Sequence, residues 1–163
     1  MRTVSSATLI VLGVDLDPDW VTELLDLVPS QAWRKGQSKR ITGYDGETRF
    51  YDGTYEWGGW KLWLPEEMRE MPLLSQLAHW SQILKERAAE VSELKQQGFM
   101  LELNCSVSSR VTTVQVPSDL QGLLGGLGVD LDITFYSHRP KVAAKRRKPS
   151  RSIFNPGGVF IQE

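Results

Sequence analysis

The sequence predicts an α+β domain, a largely antiparallel sheet with two or three helices packed on one face. Three observations carry that expectation. Residues 99–107 and 129–136 alternate apolar and polar side chains, the period of half-exposed strands. Residues 72–97 keep a helical apolar spacing, and Asp17-Pro18 is built as a helix start. The elements follow the order strand, helix, hairpin and strand, helix, two strands, helix, strand.

Leu9 to Leu12 is a short apolar run suited to a buried strand, closed by Gly13. Asp17 then supplies an N-cap oxygen, and Pro18 stands where its missing N–H costs nothing. Asp19 and Glu23 favour the positive end of the helix dipole. Val21, Leu24, Leu25 and Val28 form one buried face, and Pro29 is the expected stop. Asp45-Gly46 and Asp52-Gly53 are both tight-turn dipeptides, because glycine accepts positive φ without steric cost. Arg49 to Tyr51 and Thr54 to Trp57 would pair across the second as a hairpin. Trp60 to Leu64 reads as the next strand, with Trp60, Leu62 and Leu64 on one side, Lys61 and Trp63 on the other, and Pro65 at its end.

Pro72 opens the longest helix, carried to about Gln97 by Leu73, Leu77, Trp80, Leu84, Ala88, Val91 and Leu94. Gly98 is its natural C′ residue, and the pattern allows a break near Lys85–Arg87, although no proline or glycine marks one. Phe99, Leu101, Leu103, Cys105 and Val107 face inward along the following strand. Ser108-Ser109-Arg110 turns into a further strand, Val111 to Val116. Ser118 and Gln121 have the spacing of a capping box. Leu120, Leu123, Leu124 and Leu127 are the buried stripe of a helix that Gly122, Gly125 and Gly126 weaken. Gly128 ends it, and Leu131, Ile133 and Phe135 point inward along the last strand. The tetrad-plus-one GVDLD occurs at Gly13–Asp17 and at Gly128–Asp132, before a helix and after one, which marks coincidence and not a duplicated unit.

With 163 residues, 40% of them hydrophobic and 24% charged, the chain is one soluble globular domain with or without a tail. Its single cysteine, Cys105, forbids an internal disulfide and fits a reducing compartment, so the expected location is cytoplasmic. The opening apolar run is too short for a signal segment or a bilayer span. Seven basic residues and no acid lie between Arg139 and Arg151, leaving 12 of the 19 basic residues against all 20 acidic ones, a net −8 outside that segment. The expected organisation is a domain over residues 1–137 and a basic C-terminal tail over 138–163, with Lys145, Arg146, Arg147 and Lys148 at its centre.

The turn into DLDPDWVTELLDL, the P-x-x-A-W-R-K-G segment from Pro29 to Gly36, the Gly-Gly-Trp-x-Leu of Gly58 to Leu62, and the closing SDLQGLLGGLGVDLDITFY together resemble a bacterial family of small α+β proteins known as domain of unknown function DUF4279. The resemblance covers about residues 7 to 136, and Trp33, Gly36, Gly59 and Trp60 are the positions that match. It implies an α+β domain and brings no activity, cofactor or catalytic residue. The basic tail departs from the pattern.

Asp15-x-Asp17 after an apolar strand looks like the nucleophile motif of haloacid-dehalogenase-type phosphatases, in which Mg²⁺ bridges the carboxylates and phosphate. Asp130-x-Asp132-x-Thr134 looks like it too. That chemistry also needs a late acidic pair, and the chain has no Asp-Asp. A calcium loop starting at Asp15 would place Trp20 where the turn glycine belongs. Cys105 reads as an inert core thiol, and His79 and His138 lack ligand spacing, so no metal or cofactor is expected. The six tryptophans are the distinctive material. Trp60 and Trp80 suit the core. Trp33 beside Arg34 and Lys35, Trp57, and Trp63 beside Lys61 are the aromatic and cationic side chains of binding hot spots, or the filling of a second small core beneath residues 37–57. The leading expectation is therefore a small cytosolic, non-catalytic binding module of the immunity or adaptor kind, acting on a protein partner through Trp33, Arg34, Lys35, Trp57, Lys61 and Trp63. The alternatives are a nucleic-acid-associated protein using the tail, and a Mg²⁺-dependent phosphatase using Asp15 and Asp17. Neither partner identity nor oligomeric state is written in the sequence.

Overall fold

The middle strand of the sheet, β1 (Val4–Gly13), is the apolar run that the sequence singles out, extended toward the N-terminus. The computed structural model describes residues 4–108 and 113–136. β1 pairs antiparallel on one edge with β5 (Gly58–Trp63) and on the other with β6 (Met100–Ser108). A three-residue strand, β2 (Gln31–Trp33), adds antiparallel to β5, and β7 (Val129–Tyr136) adds parallel to β6. The five strands thus lie in the order β2-β5-β1-β6-β7. Between β2 and β5 the chain forms a separate two-stranded ribbon, β3 (Ser38–Thr42) with β4 (Thr48–Thr54).

The helices cover one face of the five-stranded sheet, as a one-sided amphipathic sheet requires. Ala7, Leu9 and Val11 of β1, Trp60 of β5, and Leu101, Leu103, Cys105 and Val107 of β6 meet Val21 and Leu25 of α1 (Pro18–Leu25), Leu73, Leu77, Trp80 and Leu84 of α3 (Leu73–Glu86), Val91 and Leu94 of α4 (Ala88–Gln96), and Leu120 and Leu124 of α5 (Ser118–Leu127). A single turn, α2 (Glu66–Arg69), follows Pro65. The largest buried indoles keep their N–H groups paired. Trp60 donates to Thr22 Oγ1 (3.1 Å) and Trp80 to the Ala7 carbonyl (2.9 Å).

The Asp17 cap forms as expected, its Oδ1 accepting the Asp19 N–H at 3.0 Å. Pro29 does not set the end of α1. Asp26 takes the left-handed conformation (φ 51°, ψ 45°) and closes the helix after Leu25, so Val28 leaves the buried face and stands 80% exposed. The Leu25 carbonyl is instead taken by Arg87 Nε at 2.7 Å. Arg87 is also where the long helix breaks: its ψ of 28° separates α3 from α4. With no proline or glycine in the segment, the long-range bond from Arg87 to α1 is the physical mark of that break. At the far end Gly98 N–H bonds Lys95 O and Phe99 N–H bonds Leu94 O, a Schellman closure with Gly98 at φ +82°.

The expected strand over 111–116 is corrected. Residues 113–117 carry no strand pairing, and Val111 and Thr112 lie outside the described residues. The free edge of β6 is occupied by β7 in parallel register, Leu101 beside Val129 through Ser108 beside Tyr136. A parallel pair needs a crossover, which α5 supplies. Val114 and Val116 pack on the core from this connection. Ser118 and Gln121 form no capping box either. Pro117 holds the cap position, and Gln121 Nε2 reaches back to the Val116 carbonyl at 2.8 Å.

Candidate functional site

Opposite the helices, the outer sheet face presents cross-strand rows fixed by register. Trp33 lies beside Gly59. Gln31, Lys61, Ile10, Glu102 and Asp130 form the next row, and Trp63, Thr8, Asn104 and Asp132 the one after. The β3–β4 ribbon is held over the β2–β5 side of this face at two points. At its base, the Tyr55 ring stacks on the Trp33 indole with centroids 4.8 Å apart. At its tip, Tyr44 meets the Trp63 indole edge-on at 4.7 Å, with the Arg69 guanidinium 4.1 Å from the Tyr44 centroid on the same ring. Because Gly59 and Trp63 are four residues apart on one strand, these two aromatic pairs stand about 13 Å apart along β5. Between them Gln31 Nε2 donates to the Arg40 carbonyl at 2.7 Å, and the Tyr55 hydroxyl bonds the Arg40 N–H and carbonyl.

The ribbon differs from the expected hairpin. Its turn is the first Asp-Gly, with Gly46 at φ +81° and Thr42 opposite Thr48. The second Asp-Gly lies inside β4. There Ser38 pairs with Thr54 but Arg40 with Phe50, so β4 bulges through Tyr51–Gly53 with Gly53 at φ +94°. Positive φ serves a turn and a bulge equally, so the dipeptide alone does not choose between them. Every residue of β3 and β4 except Thr42 is exposed, while Gly43 at the tip and Tyr55 at the base are half-buried. Phe50 beside Arg40 marks one face and Ile41 beside Arg49 the other, with Phe50 73% and Tyr51 51% exposed.

The six residues singled out in the sequence separate into three groups. Trp33, Lys61 and Trp63 are half-buried beneath the ribbon, where the two tryptophans anchor it. Arg34 is exposed but committed, 2.8 Å from Asp17 and 2.6 Å from Asp19, which ties the exit of β2 to the start of α1. Hydrogen bonding from the Asp19 N–H and from Arg34 holds the Asp17 carboxyl below its usual range, and the Arg34 guanidinium is correspondingly raised. Lys35 and Trp57 are exposed, Trp57 at 42%. Tyr44, Phe50, Tyr51 and Tyr55 were not singled out. The signal that could have found them is aromatic residues beside turn dipeptides in a segment with no buried face.

The other candidates take quieter places. Asp17 is occupied as helix cap and ion-pair partner, and Asp15 is exposed in the turn before it. Among the described residues no three His, Cys, Asp or Glu side chains are grouped as a cation site, and no helix is long and apolar enough to cross a membrane. Burial, then the charges of Asp132 and Glu102, push the Cys105 thiol up to about 12. Its reaction with a disulfide reagent near pH 8 is expected to be about a thousandfold slower in the native protein than in guanidinium, because so little thiolate is present. Comparable rates would place the thiol outside the core. Lys145, Arg146, Arg147, Lys148, His138 and the boundary at Ser137 lie outside the described residues.

The positions behind the sequence resemblance now have physical roles. Trp60 fills the core, Trp33 lies flat on Gly59, where a Cβ would overlap the indole, and Gly36 turns the chain at φ +83°. The model of a family described as domain of unknown function, DUF4279, matches residues 2–138. No curated protein and no solved structure matches the chain.

Proposed function

The chain belongs to the DUF4279 family, and on that footing we propose that it is a non-catalytic binding module that docks a protein partner on the β3–β4 ribbon. The observation that carries this reading is the ribbon's exposure on both faces. A lone two-stranded ribbon is marginal in water, and this one still presents Ile41, Phe50 and Tyr51, with Trp57 just beyond it. Large apolar side chains grouped on an exposed element, beside arginines, are what a partner buries. The aromatic anchors below hold the ribbon in place, so less ordering entropy is lost on docking. The single thiol, buried in the core, is consistent with work in the cytosol.

The test is a double substitution, Phe50→Ser with Trp57→Ser. Phe50 is 73% exposed, so its loss should change stability by no more than about 0.5 kcal/mol. Trp57, 42% exposed and beside Trp33 and Tyr55, should cost about 1–3 kcal/mol, and the comparison is made at a temperature where the double variant is folded. Recovery of the partner with the tagged full chain from its own cells should fall at least about tenfold, the loss expected when two hot-spot side chains of more than 1 kcal/mol each are removed. Full retention by a folded double variant would move the docking surface off the ribbon.

A further inference from the structure

Lys61 lies on β5 between Gly59 and Trp63, below the span of ribbon that the two aromatic pairs hold up. Its side chain is half-buried, and desolvation pushes its ammonium below the usual lysine range. The ion pairs among the described residues join Arg34 to Asp17 and Asp19, and Arg87 to Glu86, and Lys61 enters none of them. In its own cross-strand row, the nearest acid is Glu102, two strands away and so about 9–10 Å off by strand spacing. That carboxylate already accepts from Asn104 at 2.9 Å. Gln31, on the other side of Lys61, is neutral and donates its Nε2–H to the Arg40 carbonyl, so it supplies no counter-charge. A partly desolvated cation without a counter-charge is unfavourable unless something supplies one.

Beside Lys61 a cleft of about 220 Å³ opens between ribbon tip and sheet, lined by Thr42, Gly43, Tyr44, Lys61 and Trp63. Two aromatic rings and one ammonium line the slot; the Arg69 guanidinium, stacked on the Tyr44 ring, is not among the lining residues and spends its Nε–H on the Leu64 carbonyl. Thr42 Oγ1 is paired with Thr48 Oγ1 at 3.0 Å and Gly43 N–H with the Glu47 carbonyl at 2.9 Å, which leaves the Tyr44 hydroxyl and the Trp63 indole N–H as neutral donors among the lining residues. A doubly charged phosphate wants a fork or nest of donors, whereas one ammonium suits a monoanion. The volume falls below that of ordinary drug-sized pockets, so it takes one ring-sized group. We propose that this cleft binds a carboxylate borne on a small aromatic or apolar group, with Lys61 meeting the charge and Tyr44 and Trp63 flanking the apolar part. The ribbon tip walls the site, but Ile41, Phe50, Tyr51 and Trp57 take no part in it, so the binding test does not rest on the docking of a protein partner.

The test uses benzoate, titrated into the full chain and followed through backbone amide shifts. Saturable shifts centred on residues 42–44 and 61–63 are expected for the native protein and for Lys35→Met. They should be lost in Lys61→Met, which keeps the aliphatic stem. Benzamide, the neutral isostere, should bind at least about tenfold more weakly, a comparison that needs no variant. A blocked tetrapeptide with an internal glutamate separates the sources. Shifts with benzoate alone identify a free acid as the ligand, and shifts with both identify a site that also accepts a side-chain carboxylate. No saturable shift with either probe, an unchanged response in Lys61→Met, or equal binding of benzamide would overturn the assignment.

Discussion

Gln76→Leu is expected to destabilise the fold by about 3 kcal/mol or more, although it nearly conserves volume and adds apolar surface to the core. Gln76 is fully buried on α3. β5 covers β1 only from Thr8 onward, because Pro65 ends that strand, so the backbone of β1 before Thr8 lacks a neighbour on this edge. The Gln76 amide takes the missing place. Its Oε1 accepts the Ala7 N–H at 2.9 Å, and its Nε2 donates to Ser5 O at 3.0 Å and Met71 O at 2.9 Å. Leucine would strand these groups, and each buried unsatisfied backbone group costs about 1–3 kcal/mol. For a domain of this size, a melting temperature lower by roughly 6–12 °C should follow. A shift under about 2 °C would mean that water, and not the side-chain amide, satisfies the end of β1.

The second large effect is at Gly59. A Cβ there would overlap the Trp33 indole directly, so Gly59→Ala should push the indole off the strand, unstack Tyr55 and release the base of the ribbon. Overpacking of this kind costs about 1–3 kcal/mol. Faster amide exchange over residues 38–55 should accompany it. The discriminating experiment is a double-mutant cycle. Trp33→Ala removes the obstacle, so Gly59→Ala should be nearly silent in that background, with a coupling of similar size to the single-site cost. Additive effects would show that the Trp33–Tyr55 stack does not rest on Gly59.

Much of the α+β fold was legible because its signals are local or periodic. Asp17-Pro18 fixes a helix start through one side-chain oxygen, and the alternation from Phe99 to Val107 needs only one buried face. What escaped the sequence depends on partners elsewhere in the chain. Whether Asp52-Gly53 turns or bulges is decided by the register of β3, and the exposed ribbon has no buried face to leave a period-two trace. The parallel docking of β7 decides that 113–117 is a connection. Gln76 could have been noticed as the one polar residue in the stripe Leu73, Leu77, Trp80, Leu84. At the site, the sequence marked the tryptophans and cations but not their division into anchors, a committed ion pair and exposed surface. That division rests on Tyr44 and Tyr55, whose partners lie outside their own segment.

Docking of the partner on the ribbon, as we propose it, is tested most directly by site-specific photo-crosslinking in the cells that contain the protein. A benzophenone side chain at position 50, on the ribbon, is compared with one at position 82, an exposed site on α3. Position 50 should give one discrete adduct of a single partner, and position 82 should give none. The same adduct from position 82, or none from position 50, would contradict the account.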